Sequence, residues 1–346
     1  MTPSTPPLDT AAQLLTRITD ELGSRLGLAT LNGYRHPLSS RPPARPALVV
    51  VAHGSRDPRA LATVTALLDA VRALRPGLDV RLGHIELNAP LLADTLHTLA
   101  TEAPPHSPHP PHPPNPAISA DSPSSPLTPS SPLTLTTPLT LTTPATPHPP
   151  PHPRAVLVPL LLSHGHHVTH DIPATAAAVR AAHPGLTSRV AAPLGPHPLL
   201  AEVLHDRLTE AGWPAGAPGR GHGVVLAAAG SRDPAHAADA RRAATLLARR
   251  LGVPVEPAYA APTPATPTTV PGAVAAFAAA GVHRVAVASY FTAPGRFAAE
   301  AAATAPECAA APLGAHPALA ALLLHRYDQA CSRTRAPASA RRLTPA

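Results

Sequence analysis

Residues 50–58 read VVAHGSRDP, and residues 229–234, again at the end of an apolar run, read AGSRDP. Each copy has the form of a buried strand, a polar turn and the first residues of a helix. A second pair repeats in the same order: residues 192–198 read APLGPHP and residues 311–317 read APLGAHP. Two copies of so long a unit do not make a solenoid. They predict an α/β protein of two pseudo-twofold-related lobes, each a mostly parallel sheet flanked by helices. Ligand is expected in a cleft between the lobes, where the C-terminal ends of the strands face each other.

Outward from the first copy, Ala47 to Ala52 is a strand. Leu61, Val64, Leu67, Leu68, Val71 and Leu74 recur at helical spacing until Pro76 and Gly77 stop them. A strand over residues 79–87 and a helix over residues 89–102 follow. Residues 103–153 then hold 19 of the chain's 50 prolines and a single Asp/Glu/Arg side chain, Asp121, together with the tandem hexamer LTLTTP at 133–138 and 139–144. Such a tract cannot pack and reads as an extended, disordered insertion inside the first repeat. The spacing between repeated segments shortens beyond it by close to its own length. Strand, His-rich loop and helix then resume over residues 154–162, 163–171 and 172–182, with Pro173 in the helix's first turn. The expected organisation is an accessory helix (residues 8–28) and linker over 1–46, a first repeat over 47–210, a second, degenerate repeat over 222–330, and a flexible tail over 331–346.

Composition narrows the function classes. All 27 basic residues are Arg, the formal charge is +7, and aromatic residues are only 2% of the chain. Scattered arginines without aromatic platforms argue against nucleic acid and suit a small polyanionic ligand. Cys308 and Cys331 have no metal-ligand spacing and make no disulfide framework, which places the expected home in a reducing cytoplasm. The apolar runs are strand-length, so no membrane span is expected. No P-loop is present, so no nucleotide cofactor is expected.

The two repeats differ where chemistry would be done. His53 in the first faces Ala229 in the second, and the stretch from Gly165 through His166 and His167 to Val168 is matched by the stretch from Pro294 to Phe297. Both His53 and His167 stand just beyond a strand, where open α/β sheets present functional groups, and imidazole serves as base or as ligand for borderline metals. Glu86 ends a strand at the same sheet edge and is a candidate metal contact. His197 and His316 occur in both repeats before matching helices, which points to a shared turn. His164 and His170 flank the second motif and could line the route by which metal arrives, while Asp171 and Pro173 read as a helix start.

The segments VVAHGSRDP (50–58) and VPLLLSHGHHVTHDIP (158–173) resemble the sirohydrochlorin chelatase family, ATP-independent enzymes that insert a divalent metal into sirohydrochlorin. The resemblance spans about residues 47–327. It implies that His53 and His167 are the catalytic and metal-binding residues. It also implies that the metal is a substrate, with Fe2+ favoured, Co2+ next and Ni2+ acceptable to the same ligands. Sirohydrochlorin is a polycarboxylate, so Ser55, Arg56, His166, Arg232 and Arg296 are the candidate contacts to its rim. A monomer is the simpler expectation, because the duplication supplies within one chain the cleft a single repeat would build by dimerising. The alternative is a non-catalytic carrier of tetrapyrrole or metal.

Overall fold

Apolar runs without polar alternation are buried on both faces of a parallel sheet. In the computed structural model, which describes residues 45–102, 154–214, 219 and 221–332, the run Ala47–Ala52 forms β1, buried throughout. The first repeat continues with α1 (Pro58–Leu74), β2 (Val80–His84), α2 (Leu92–Thr101), β3 (Arg154–Pro159), a π-helical turn (His167–Asp171) running into α3 (Ile172–Ala182), β4 (Thr187–Val190) and α4 (Pro198–Glu210). The second comprises β5 (His222–Ala228), α5 (Pro234–Leu251), β6 (Val255–Tyr259), α6 (Val270–Ala279), β7 (Arg284–Ser289), α7 (Arg296–Ala302) and α8 (Pro317–Ser332). The expected accessory helix at 8–28, the proline-rich tract and most of the tail lie outside the described residues. Of the residues assigned to the tail, Cys331 and Ser332 belong to α8.

Both sheets are parallel, in the orders β2-β1-β3-β4 and β6-β5-β7. The counterpart of β4 in the second sheet is a single bridge from Val287 to Ala309. Strands β2 and β3 stop short of their predicted ends because the ladder runs out: the last partners are Ala52 with His84, and Val51 with Pro159. In α1 the buried stripe is Val64, Leu67, Leu68 and Val71, whereas Leu61 and Leu74 at its ends are exposed. Because β2 and β3 lie on opposite sides of β1, the connecting helices cover opposite faces. Leu48 and Val50 pack with α1, and Val49 and Val51 pack with α2 and α3. The crevice between the carboxyl ends of β1 and β3 is therefore the switch point at which such sheets bind ligands.

The lobes share one core. Leu48, Val50, Val64 and Leu67 of the first repeat cluster with Leu226, Ala240, Leu247 and Leu319 of the second. The exchange is reciprocal: α4, which ends the first repeat, packs on α5 and β7, while α8, which ends the second, packs on α1 and β3. The same patch meets its counterpart from both sides, as an isologous twofold contact requires. Polar contacts follow the pattern. Arg207 of α4 donates to Leu313 O (3.2 Å), and Arg75 at the end of α1 pairs with Asp328 of α8 through two bonds of 2.6 and 2.8 Å.

Two half-buried histidines make the fold sensitive to acid. Burial holds His236, at the start of α5, below the ordinary imidazole value of 6.5, and burial followed by the nearby charge of Arg326 does the same for His197. Below that value the unfolded chain binds more protons than the folded one, so stability is complete above about pH 6.5 and is lost as pH falls. The thermal midpoint should be flat from about pH 7 to 8 and should drop between about pH 6.5 and 5 in a calorimetric series. A midpoint that rises on acidification would contradict the assignment.

Candidate functional site

The turn after β1 is shaped by Gly54, whose φ of 102° lies in the left-handed region. A Cβ there would sit 1.9 Å from Glu86 O, so only glycine fits. The close approach is what brings two distant segments together. Glu86 N donates to His53 O (3.1 Å), and Ser55 N donates to Asn88 Oδ1 (2.6 Å). The Glu86 carboxylate then lies 3.4 Å from His53 Nε2.

His167 opens the π-helical turn that leads into α3. Pro173, which has no N–H and crowds the preceding turn, follows directly, and the wider turn accommodates it, with Ile172 N donating to His167 O. The turn also places Asp171 below His167, and Asp171 Oδ2 accepts from His167 Nδ1 at 2.6 Å. In the same way His53 Nδ1 donates to Gly54 O at 3.3 Å. A carboxylate and a carbonyl can only accept, so each contact favours the tautomer with its proton on Nδ1 and Nε2 open; at His53 the Glu86 carboxylate, 3.4 Å from Nε2, competes for that proton.

The two rings meet edge to face, with centroids 4.8 Å apart and planes at 86°. His53 and His167 side chains are 42% and 39% exposed, so solvent and small ligands reach them. An open pocket of about 190 Å³ lies alongside, lined by Asp171, Ile172, Thr175, Ile85, Leu91 and Leu92. Among the described residues no three His, Cys, Asp or Glu side chains close around one point as a metal cage.

The backbone fixes the match between repeats. Leu160 N donates to Val51 O as Tyr290 N does to Ala227 O, and Thr169 N donates to Gly165 O as Ala299 N does to Gly295 O. Gly165 therefore corresponds to Gly295, His166 to Arg296 and His167 to Phe297, one residue displaced from the sequence-based register. Glu86 N to His53 O likewise matches Ala261 N to Ala229 O. The second lobe thus has Ala229, Ala261, Phe297 and Ala301 in place of His53, Glu86, His167 and Asp171.

The other candidate residues divide. Ser55 Oγ accepts from Asp57 N (3.1 Å), while Asp57 caps α1, as Asp233 caps α5. The Asp57 carboxylate is taken by Arg59, which lowers its pKa, so Arg56 does not pair with it. Arg56 and Arg232 are exposed, with no ion pair among the described residues. Arg296 lies over the Phe297 ring at 4.7 Å and approaches Glu300 at 3.8 Å. His166 is 72% exposed, stacks on His170 and stands 3.4 Å from Asp171. His164 is bonded through Nδ1 to Asp239 at 2.7 Å, with its side chain 49% exposed. His197 and His316 cap α4 and α8 by accepting from Leu199 N and Ala318 N, the shared turn expected of them.

Sequence reasoning missed Asp171 and Asn88. Asp171 reads as a helix start, yet its side chain makes no cap. The signal was the spacing of four from His167, which places both on one face of a helical turn.

A family-level sequence pattern described as CbiX matches residues 47–106 and 149–211, on either side of the proline-rich tract, and residues 223–330. No curated protein matches the chain. Among solved structures, SirB from Bacillus subtilis with Fe3+ aligns at TM-score 0.58 and 19% identity, over 84% of this chain and 98% of that one. The sirohydrochlorin chelatase SirB from Bacillus subtilis subspecies spizizenii in complex with cobalt aligns at TM-score 0.56 and 17% identity, over 84% and 97%. DR2241 from Deinococcus radiodurans, a multi-domain protein with structural similarity to chelatases, aligns at 0.50 and 18%, over 82% of this chain and 54% of its own. At these identities the likeness is one of fold. No helix among the described residues is long and apolar enough to cross a membrane.

Proposed function

Since the chain belongs to the CbiX family, we propose that it inserts a divalent metal, Fe2+ or Co2+, into sirohydrochlorin at the carboxyl ends of β1 and β3. The observation that carries this reading is the pair of imidazoles meeting edge to face beside the Glu86 carboxylate in one repeat, all three being absent from the other.

Insertion exchanges one metal dication for two pyrrole protons, with no change of oxidation state. The protein must take the metal from water, hold it weakly enough to release it, and accept the protons. Two neutral imidazoles with Nε2 lone pairs suit that task, since they bind borderline divalent metals without the near-irreversible grip of thiolates. As the macrocycle takes the metal, each released Nε2 is free to accept a pyrrole proton. Glu86, 3.4 Å from His53 Nε2 and 54% exposed, gives His53 a carboxylate through which to pass its proton to solvent. Arg56, Arg232, Arg296 and His166, all exposed, supply donors for the peripheral carboxylates.

Asp171 orients His167 and keeps its proton on Nδ1. Asp171→Asn should lower turnover about 10–100-fold, the usual loss when a ligand's supporting carboxylate is removed, with the thermal midpoint little changed. Unaltered turnover would remove Asp171 from the scheme. The reading as a whole is tested by anaerobic incubation of the purified chain with sirohydrochlorin and Fe2+, Co2+ or Ni2+, followed by absorbance. Catalytic formation of metallated product supports it. Tight macrocycle binding without turnover for every metal would replace the enzyme by a carrier.

A further inference from the structure

Three consecutive residues of the loop that leads to His167 are bonded by side chains from the opposite lobe. Leu162 O accepts from Tyr290 Oη at 3.2 Å, Ser163 Oγ lies 2.6 Å from His236 Nδ1, and His164 donates twice to Asp239 Oδ2, from its backbone N at 3.0 Å and its Nδ1 at 2.7 Å. Asp239 is 3% exposed. A carboxylate so buried demands partners. Among the described residues its other oxygen has Arg242 at 3.7 Å, with a largely exposed guanidinium, so the His164 segment is its principal partner there.

The arrangement runs in one direction. With Asp57 matched to Asp233, His236 corresponds to Ala60 and Asp239 to Thr63, and Tyr290 corresponds to Leu160. Ala60 and Leu160 have no side-chain donor or acceptor, and the Thr63 hydroxyl is bonded within its own helix, to Arg59 O at 2.7 Å. The loop they would have to hold contains Pro294 in place of His164, without an N–H. The lobe that lacks the imidazoles therefore carries the groups that grip the loop of the lobe that has them.

We propose that Asp239, His236 and Tyr290 are positioning residues for His167, so that the degenerate repeat serves the reaction by fixing, from across the lobe contact, the loop that carries one of the two imidazoles. This rests on the chelatase reading for its kinetic consequence, although the grip itself can be observed without substrate.

The test compares Asp239→Ala, Asp239→Asn and Arg75→Ala in the full chain. Arg75→Ala removes an inter-lobe ion pair away from the loop. Asp239→Ala should lower kcat by about tenfold or more with KM for sirohydrochlorin changed far less. It should also speed amide exchange over residues 162–168. Asp239→Asn, whose amide oxygen still accepts from His164, should recover most of kcat, and Arg75→Ala should stay near wild type in both readouts. Wild-type kcat or unchanged loop exchange in Asp239→Ala, or an equal kcat loss in Arg75→Ala, would overturn the proposal. If Asp239→Ala fails to fold, Asp239→Asn and a His236→Ala, Tyr290→Phe double variant decide by loop exchange alone. Absence of turnover in the wild type would overturn the chelatase reading instead, and the exchange comparison would still decide the grip.

Discussion

His53→Ala and His167→Ala should each lower metal insertion by about 10²–10⁴-fold, the range associated with loss of a positioned proton acceptor, while the thermal midpoint stays close to that of the parent chain. The reasoning is local. Both side chains are roughly two-fifths exposed, so their removal opens no cavity in the core, and the backbone bonds from Glu86 N to His53 O and from Ile172 N to His167 O persist. What is lost is one of two Nε2 lone pairs, and with it both a metal ligand and a base for a pyrrole proton. Because the two imidazoles act on one metal, the double variant should lose little more than the worse single one, as groups that act as a unit do. Phe297→Ala, at the position matched to His167 in the sister repeat, should leave turnover within about twofold of wild type, and steady-state absorbance assays separate these outcomes. A His53→Ala chain that inserts metal at the parental rate would remove the central role given to that ring.

The second large effect is steric. Gly54→Ala and Gly230→Ala meet nearly the same obstacle: φ values of 102° and 97°, and a Cβ 1.9 Å from Glu86 O in one and 2.1 Å from Ala261 O in the other. A backbone carbonyl cannot swing aside as a side chain can, so each substitution should cost about 2–4 kcal/mol of stability. The consequences for function should diverge. In the first repeat the clash pushes apart the two segments that carry His53 and Glu86, so activity should fall by at least about tenfold beyond any loss of folded protein. In the second repeat the same displacement moves Ala229 and Ala261, and turnover per folded molecule should stay near wild type. Denaturation curves paired with active-site-normalised rates distinguish the two. Equal kinetic losses would mean that the second lobe's turn belongs to the reaction centre.

Much of the architecture could be read from the chain because its repeats are written in contiguous residues. The apolar run before GSRDP can only be a buried strand, and its recurrence implies a second sheet. What no local pattern carried is the exchange of α4 and α8 between the sheets: their apolar stripes look the same whichever sheet covers them. The pairing of His53 with His167 followed from placing each beyond a strand of one parallel sheet, together with the family resemblance of both motifs. The adjacency of Glu86 needed the Gly54 contact, which links residues far apart in sequence. Asp171 does stand at the start of α3, as the sequence suggests, but a carboxylate just before a proline-started helix is usually a cap, whereas in the π-helical turn its side chain meets His167 instead. The grip of Asp239 on His164 was invisible for the same reason as the helix exchange, since it joins different repeats.

The most direct test of the account is a crystal structure of the chain loaded anaerobically with Co2+, refined against anomalous data. The prediction is an anomalous peak at bonding distance from His53 Nε2 and His167 Nε2 together, on the side that Glu86 faces, with no peak at Ala229 and Phe297. Metal bound elsewhere while both imidazoles remain uncoordinated would contradict it.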